Sequence, residues 1–317
     1  MLIESPNGKP PSRAVLTIAI ALLMTIWAVN FLVVKIGLGY LPVLTFASFR
    51  IIAAGVFMVA IAPLCRRLPI FSATCHQPQP SSHSLHDYFN FAYLGLFGVS
   101  INQLCFTIGL RYTNVTHSSI IVGMAPIYTL TLAVVFRLEP LTWRKALGMA
   151  IAFSGVVALA SAAGIPNHSP TLLGDAITMC GSLGFAMYVV LGKRVAPKYD
   201  ALTMTTWNFI FGALVILPVS LREAAAFGLL QHWRTIPWQA WACMLYTGLF
   251  SSTLAYLLYY WLLRYLEASQ LASFSYLLPV SASGLGILFL GERRSWLELL
   301  GGALALLGVY TIESSRR

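Results

Sequence analysis

Apolar residues run through this chain in long unbroken blocks, separated by short polar or proline-bearing joints. The blocks lie at Ala14–Leu38, Val43–Ala62, Tyr88–Leu110, Val115–Phe136, Trp143–Ala162, Thr171–Gly192, Leu202–Leu221, Trp238–Leu263, Ala268–Leu290 and Trp296–Thr311. A helix needs roughly 20 such residues, at about 1.5 Å each, to cross a hydrocarbon layer. The blocks are continuous rather than alternating, which argues against the strands of a membrane barrel. The pattern predicts an all-α integral membrane protein of ten transmembrane helices.

The joints are short, with one exception. Residues 63–87 form an extramembrane loop carrying Pro69, Pro78, Pro80, a Ser-rich run and His76, His83 and His86. Three histidines suggest a metal, but no carboxylate or cysteine pattern completes a ligand set, and a solvated linker accounts for the composition. Met1–Arg13 is a polar leader with three prolines, and no cleavable signal segment is expected, because the first block is long enough to span. Gly164–Pro170, without Lys or Arg, joins two halves.

Those halves repeat each other. Arg111, Tyr112, Pro126, Phe136, Glu139, Trp143, Gly148 and Gly155 recur 153 positions later as Arg264, Tyr265, Pro279, Phe289, Glu292, Trp296, Gly301 and Gly308. Lys35, Thr45 and Arg50 stand 158 positions before Lys193, Thr203 and Asn208, so the change of offset places an insertion where the His-bearing loop lies. A fixed period is the signature of duplicated units. In a membrane chain it suggests transport-type half-units, expected here at 14–162 and 171–312. Five spans per half is an odd number, so the second half must enter the membrane inverted.

Composition removes the soluble alternatives. Of 317 residues 58% are hydrophobic and 9% charged, where soluble domains carry roughly 25% charged residues. Mean hydropathy is +0.77. The net charge of +10 would raise nucleic acid as a partner, but the basic residues sit mainly at the ends of apolar blocks, where they set topology. With both termini cytoplasmic, thirteen Lys and Arg fall inside against six outside. Five cysteines show no CxxC spacing and read as buried thiols.

Trp27–Phe31, then Lys35–Leu38, Pro42 and the Phe49-Arg50 pair resemble the opening of the drug/metabolite transporter superfamily, in its ten-helix EamA-type metabolite-exporter branch. The helix ends Pro126…Phe136-Arg137-Leu138-Glu139 and Pro279…Leu290-Gly291-Glu292, each followed by a Gly-rich block, resemble that family's duplicated domain. The likeness covers about Ala14 to Ile312. It implies a basket of ten helices in two inverted repeats, alternating access, and export of amino acids or related metabolites across a bacterial inner membrane. One departure is that the first copy has Arg137-Leu138 where the second has Leu290-Gly291, so the tight glycine turn is missing there.

Arg50 is the sharpest candidate for substrate contact. It lies about seven residues into its block, and an arginine at bilayer depth costs on the order of 2.5–3.5 kcal/mol on insertion scales. Its planar fork suits a carboxylate. Snorkelling to the interface, or tying helices together, is the alternative. Asn30, Asn102 and Gln103 are amides in apolar surroundings that need partners from a helix or a ligand. His117, Ile121, Met124 and Tyr128 share a helical face, and the repeat maps it onto Gln270, Phe274, Leu277 and Ser281. These stripes are expected to face each other across a central cavity, with His117 a candidate for proton coupling. Pro126 and Pro279 are expected mid-helix, as kinks.

No phosphate-binding Gly-x4-Gly-Lys loop and no metalloprotease or serine-hydrolase motif occurs, so neither ATP hydrolysis nor enzymatic catalysis is indicated. No cofactor is expected. The expected partners are the lipid bilayer and a small-molecule substrate, with a proton or an exchanged solute as coupling candidates and a homodimer left open. The expectation is a secondary transporter exporting an amino acid or derivative. The alternative is an importer or antiporter for sugars, nucleotides or cofactors.

Overall fold

The computed structural model describes residues 11–67, 84–113, 118, 121–162, 172–228, 233–278 and 296–314. They form α1 (Arg13–Gly37), α2 (Val43–Arg67), α3 (Leu85–Tyr112), α4 (Ala125–Val135), α5 (Trp143–Ala162), α6 (Leu172–Val195), α7 (Ala201–Ala226), α8 (Trp238–Tyr265), α9 (Ala268–Ser273) and α10 (Trp296–Ser314). Six of these, α1, α2, α3, α6, α7 and α8, are long and apolar enough to cross a membrane. Two shorter apolar helices run over Ile121–Val135 and Leu300–Ile312. The chain is an all-α, multi-span membrane protein. Most of the 63–87 loop and the Gly164–Pro170 joint lie outside the described residues.

Element boundaries recur with the offsets found in the residues. α2 begins at Val43 and α7 at Ala201, 158 positions on; α3 begins at Leu85 and α8 at Trp238, 153 on; α5 and α10 begin at the paired Trp143 and Trp296. α3 and α8 each carry a π-helical stretch, Leu96–Ile101 and Thr247–Leu254, ending 153 positions apart. Single hydrogen bonds repeat as well. Lys35 Nζ donates to the Leu110 carbonyl at 3.1 Å, and Lys193 Nζ to the carbonyls of Leu263 and Leu266.

Polar ties define two ends of the bundle. At the end where α1 finishes, called the far end, Thr113 Oγ1 donates to Asp175 at 2.6 Å and Thr45 Oγ1 to Glu223 at 2.8 Å. At the end where α1 begins, the near end, Arg194 Nη2 donates to the Phe136 carbonyl at 2.9 Å. Between them α5 and α10 run antiparallel at backbone contact. A Cβ on Gly155 would lie 2.6 Å from the Gly301 oxygen and 2.5 Å from the Ala305 nitrogen. Small residues let helices approach this closely, so packing can drive association where lipid removes the hydrophobic force.

Two expectations change here. Pro126 does not sit mid-helix but in the first turn of α4, after a turn at Met124, where its missing N–H costs nothing. The turn after α4 forms without glycine: Arg137 takes φ 56°, and Leu138 N donates to the Ala133 carbonyl at 2.8 Å. Pro279 lies outside the described residues.

Candidate functional site

A cavity with about 650 Å³ of empty space, its mouth included, lies between the bundle middle and the far end. α1 contributes Trp27, Asn30 and Phe31, α2 Arg50, and α3 Asn102, Gln103 and Phe106. Ser182 and Phe185 come from α6, Ser251 and Tyr256 from α8, and Val122, Ala125, Ser275 and Leu278 complete the wall. Four lining pairs are repeat mates: Trp27 with Phe185 at offset 158, and Gln103 with Tyr256, Val122 with Ser275 and Ala125 with Leu278 at offset 153. The cavity therefore straddles the relation between the halves, where repeat-built transporters place their substrates.

Arg50 is 3% exposed. Its Nε donates to Ser252 Oγ at 3.3 Å and its Nη2 to Ser251 Oγ at 3.3 Å. Ser252 in turn donates to Gln103 Oε1 at 3.2 Å. Both serines belong to the π-helical stretch of α8, a device common at functional sites. Snorkelling is thus not what α2 does with this residue. Among the described residues no carboxylate pairs with it, and its Nη1 has no partner. Asn30 Oδ1 is likewise buried and unpartnered, and Gln103 lies in hydrogen-bond reach of Tyr256. Arg50 and Gln103 each keep an N–H donor to spare, and Asn30 an acceptor. Asn102 is more fully held: its Nδ2 donates to the Gly181 carbonyl at 3.0 Å, and Tyr256 OH reaches its Oδ1 at 3.1 Å.

Four of the eight predicted contact residues, Asn30, Arg50, Asn102 and Gln103, therefore meet at one cavity. Tyr128 and Gln270 do not line it. Tyr128 OH reaches Met124 Sδ at 3.6 Å, and Gln270 is buried in the first turn of α9, accepting from Glu267 N at 3.4 Å. His117 and Ser281 lie outside the described residues. The cavity is lined one position further along each helix than the predicted stripes, by Val122 and Ala125 and by Ser275 and Leu278.

At the near end Lys145 Nζ lies 2.9 Å from Glu139 Oε2 and 2.6 Å from Glu267 Oε2. Ser269 N donates to Glu139 Oε1 at 3.2 Å, and the Ser269 hydroxyl bonds to the same carboxylate. Lys145 and Glu139 are buried, whereas the Glu267 side chain is 43% exposed. The cluster ties the α4–α5 turn to the α8–α9 turn. It holds polypeptide together.

The sequence profile of the EamA-like transporter family matches this chain twice, at residues 15–161 and 172–314. The chain belongs to the EamA-like transporter family. Similar proteins within reach of this family member include an uncharacterized transporter of Archaeoglobus fulgidus, 28% identical over 302 residues, covering 94% of this chain and 99% of that one. Another is a "probable terminal-alkyne amino-acid exporter" of Streptantibioticus cattleyicolor, 26% identical over 295 residues, covering 93% and 92%. A solved crystal structure superposes with a TM-score of 0.68 at 16% identity, over 95% and 96% of the two chains, which shows a shared fold. This EamA-like protein is a multi-pass membrane transporter.

Several wall residues of the transporter escape sequence reasoning. Ser251 and Ser252 replace Gly98 and Val99 of the first half, and only their nearness to Arg50 gives that exchange a meaning. Trp27 and Phe185 carried a usable signal, as aromatic mates at offset 158 whose rings meet at 5.7 Å.

Proposed function

We propose that this EamA-like protein is a ten-helix secondary transporter, built from inverted five-helix repeats at 14–162 and 171–312, that exports an amino acid or derivative by alternating access. In this reading both termini are cytoplasmic and the membrane is a bacterial inner membrane, which makes the near end the cytoplasmic one. The observation that carries the reading is the unpaired Arg50 at the cavity wall. A buried guanidinium without a counter-charge is costly, and a substrate carboxylate accepting from its Nη1 and from Gln103 Nε2 removes that cost. An ammonium or amide N–H of the same solute donates to Asn30 Oδ1. Trp27, Phe31, Phe106 and Phe185 then surround an apolar side chain. The solute chemistry agrees with that of the Streptantibioticus relative, a probable terminal-alkyne amino-acid exporter.

The test compares metabolites released into the medium by cells with no copy, with the intact protein, and with Arg50→Ala at matched membrane levels. Release of an amino acid by the intact protein, reduced at least about tenfold by the substitution, is the expected result. Equal release by Arg50→Ala removes the carboxylate role. Faster uptake with no release turns the direction round, in favour of an importer.

A further inference from the structure

A chain of hydrogen bonds crosses the cavity wall, and its direction is fixed at both ends. Arg50 can only donate, since a guanidinium has no acceptor. Its Nε donates to Ser252 Oγ at 3.3 Å. The Ser252 proton is therefore turned away from Arg50 and goes to Gln103 Oε1 at 3.2 Å. This leaves the amide nitrogen of Gln103 for Tyr256, in whose hydrogen-bond reach Gln103 lies. At the other end the Gly181 carbonyl can only accept, and it takes Asn102 Nδ2 at 3.0 Å. Asn102 Oδ1 then faces Tyr256, whose hydroxyl proton is shared between it at 3.1 Å and the Gly98 carbonyl at 3.0 Å. The donor-only end and the acceptor-only end agree on one direction, so neither amide can turn over without losing its partners. Every link crosses from one half of the molecule to the other, and Gln103 and Tyr256 are repeat mates.

The direction decides what this wall offers a solute. Gln103 Oε1 and Asn102 Oδ1 are both engaged. Arg50 Nη1 is not, and the amide nitrogens of Gln103 and Asn102 each carry a second proton. Arg50, Gln103 and Asn102 all line the cavity. Resting on the transport reading, we infer that Tyr256 is a positioning residue that makes the site specific for a carboxylate over the corresponding carboxamide. Its hydroxyl occupies Asn102 Oδ1 and holds the Gln103 amide in the donating orientation. A carboxylate, which only accepts, satisfies the spare protons. A carboxamide of the same shape turns an NH2 group toward them and meets no amide oxygen there. Asn30 Oδ1, on α1, is left for the ammonium group of the solute.

The experiment titrates the purified full-length protein in detergent with the common L-amino acids and with their carboxamides. At about pH 6 the amine of both stays protonated, and affinity is read from the ligand-induced rise of the melting midpoint. The intact protein is expected to bind at least one acid about a hundredfold or more tighter than its amide. Tyr256→Phe keeps the ring against Trp27, Tyr188 and Phe209 but bares Asn102 Oδ1. It is expected to cut the acid-to-amide ratio at least about tenfold, chiefly by gaining affinity for the amide. A purely structural role would weaken acid and amide alike and leave the ratio where it was. Ser252→Ala bares Gln103 Oε1 at the other end of the chain and is expected to gain the amide in the same way; if Tyr256→Phe does not fold, this variant decides alone. Equal affinity of the intact protein for acid and amide overturns the proposal, as does an unchanged ratio in either variant when folded. Failure of the transport reading shows separately, as metabolite release by cells carrying the intact protein that is no greater than by cells without it.

Discussion

Arg50 shows how one side chain acquires its role from its neighbours. Its fork is divided between Ser251 and Ser252, and one nitrogen is left over. The division fixes the guanidinium plane, so the spare N–H has a set direction. Ser252 is the hinge of this arrangement because it also donates to Gln103. In Ser252→Ala the Nε of Arg50 and the Oε1 of Gln103 each lose a buried partner, at about 1–3 kcal/mol apiece. The expected outcome is lower thermal stability in detergent and a several-fold rise in the substrate concentration giving half-maximal export, with membrane levels unchanged. A thermal midpoint equal to that of the unsubstituted protein would show that the serine holds nothing. The sequence made Arg50 legible through its cost in lipid. Its serine partners stayed hidden because they lie about two hundred positions away.

Helix ends show the same split between local and distant causes. The turn after α4 resembles a glycine turn in all but its residue: Arg137 stands at φ 56°, where a Cβ crowds the following carbonyl. Relief of that crowding in Arg137→Gly is expected to stabilise the protein by about 1 kcal/mol, read as a rise in the detergent melting midpoint of the purified protein. A fall instead would mean that contacts of the exposed Arg137 side chain outweigh its backbone cost. The absence of glycine was readable from the sequence, but the strained position was not: the repeat sets Leu138 against Gly291, whereas the positive φ falls on Arg137. Nor was the face that lines the cavity. The cavity wall runs along Val122 and Ala125 rather than Ile121 and Tyr128, and along their repeat mates Ser275 and Leu278, a choice of face made between helices.

Across the whole molecule, polar groups are distributed unequally between the two ends of a bundle built from two like halves. The near end carries a buried ion cluster bridging the halves, and the far half carries the cavity. Removal of the central cation leaves Glu139 buried and unpaired. Lys145→Met is therefore expected to destabilise the protein by about 3–5 kcal/mol. Glu267→Gln, at a half-exposed partner, is expected to cost at most about 1 kcal/mol. Parallel melting curves in one detergent check the ranking; equal losses would show that Glu267 shares the cluster's load.

By itself the sequence determined the solvent of this protein, its helical class and its internal repetition. Each follows from properties that are local or periodic: unbroken apolar length, charge at block ends, and a constant offset between like residues. Those signals survive without knowledge of which helices touch. Only the tertiary structure decided that Asn30, Arg50, Asn102 and Gln103 meet at one wall while Tyr128 and Gln270 do not. It alone showed that Glu139, Lys145 and Glu267 form one cluster. Such facts depend on helix phase and on contacts between segments far apart in the chain. In a membrane, where nearly every surface is apolar, the pattern of hydrophobic positions says little about which face of a helix turns inward.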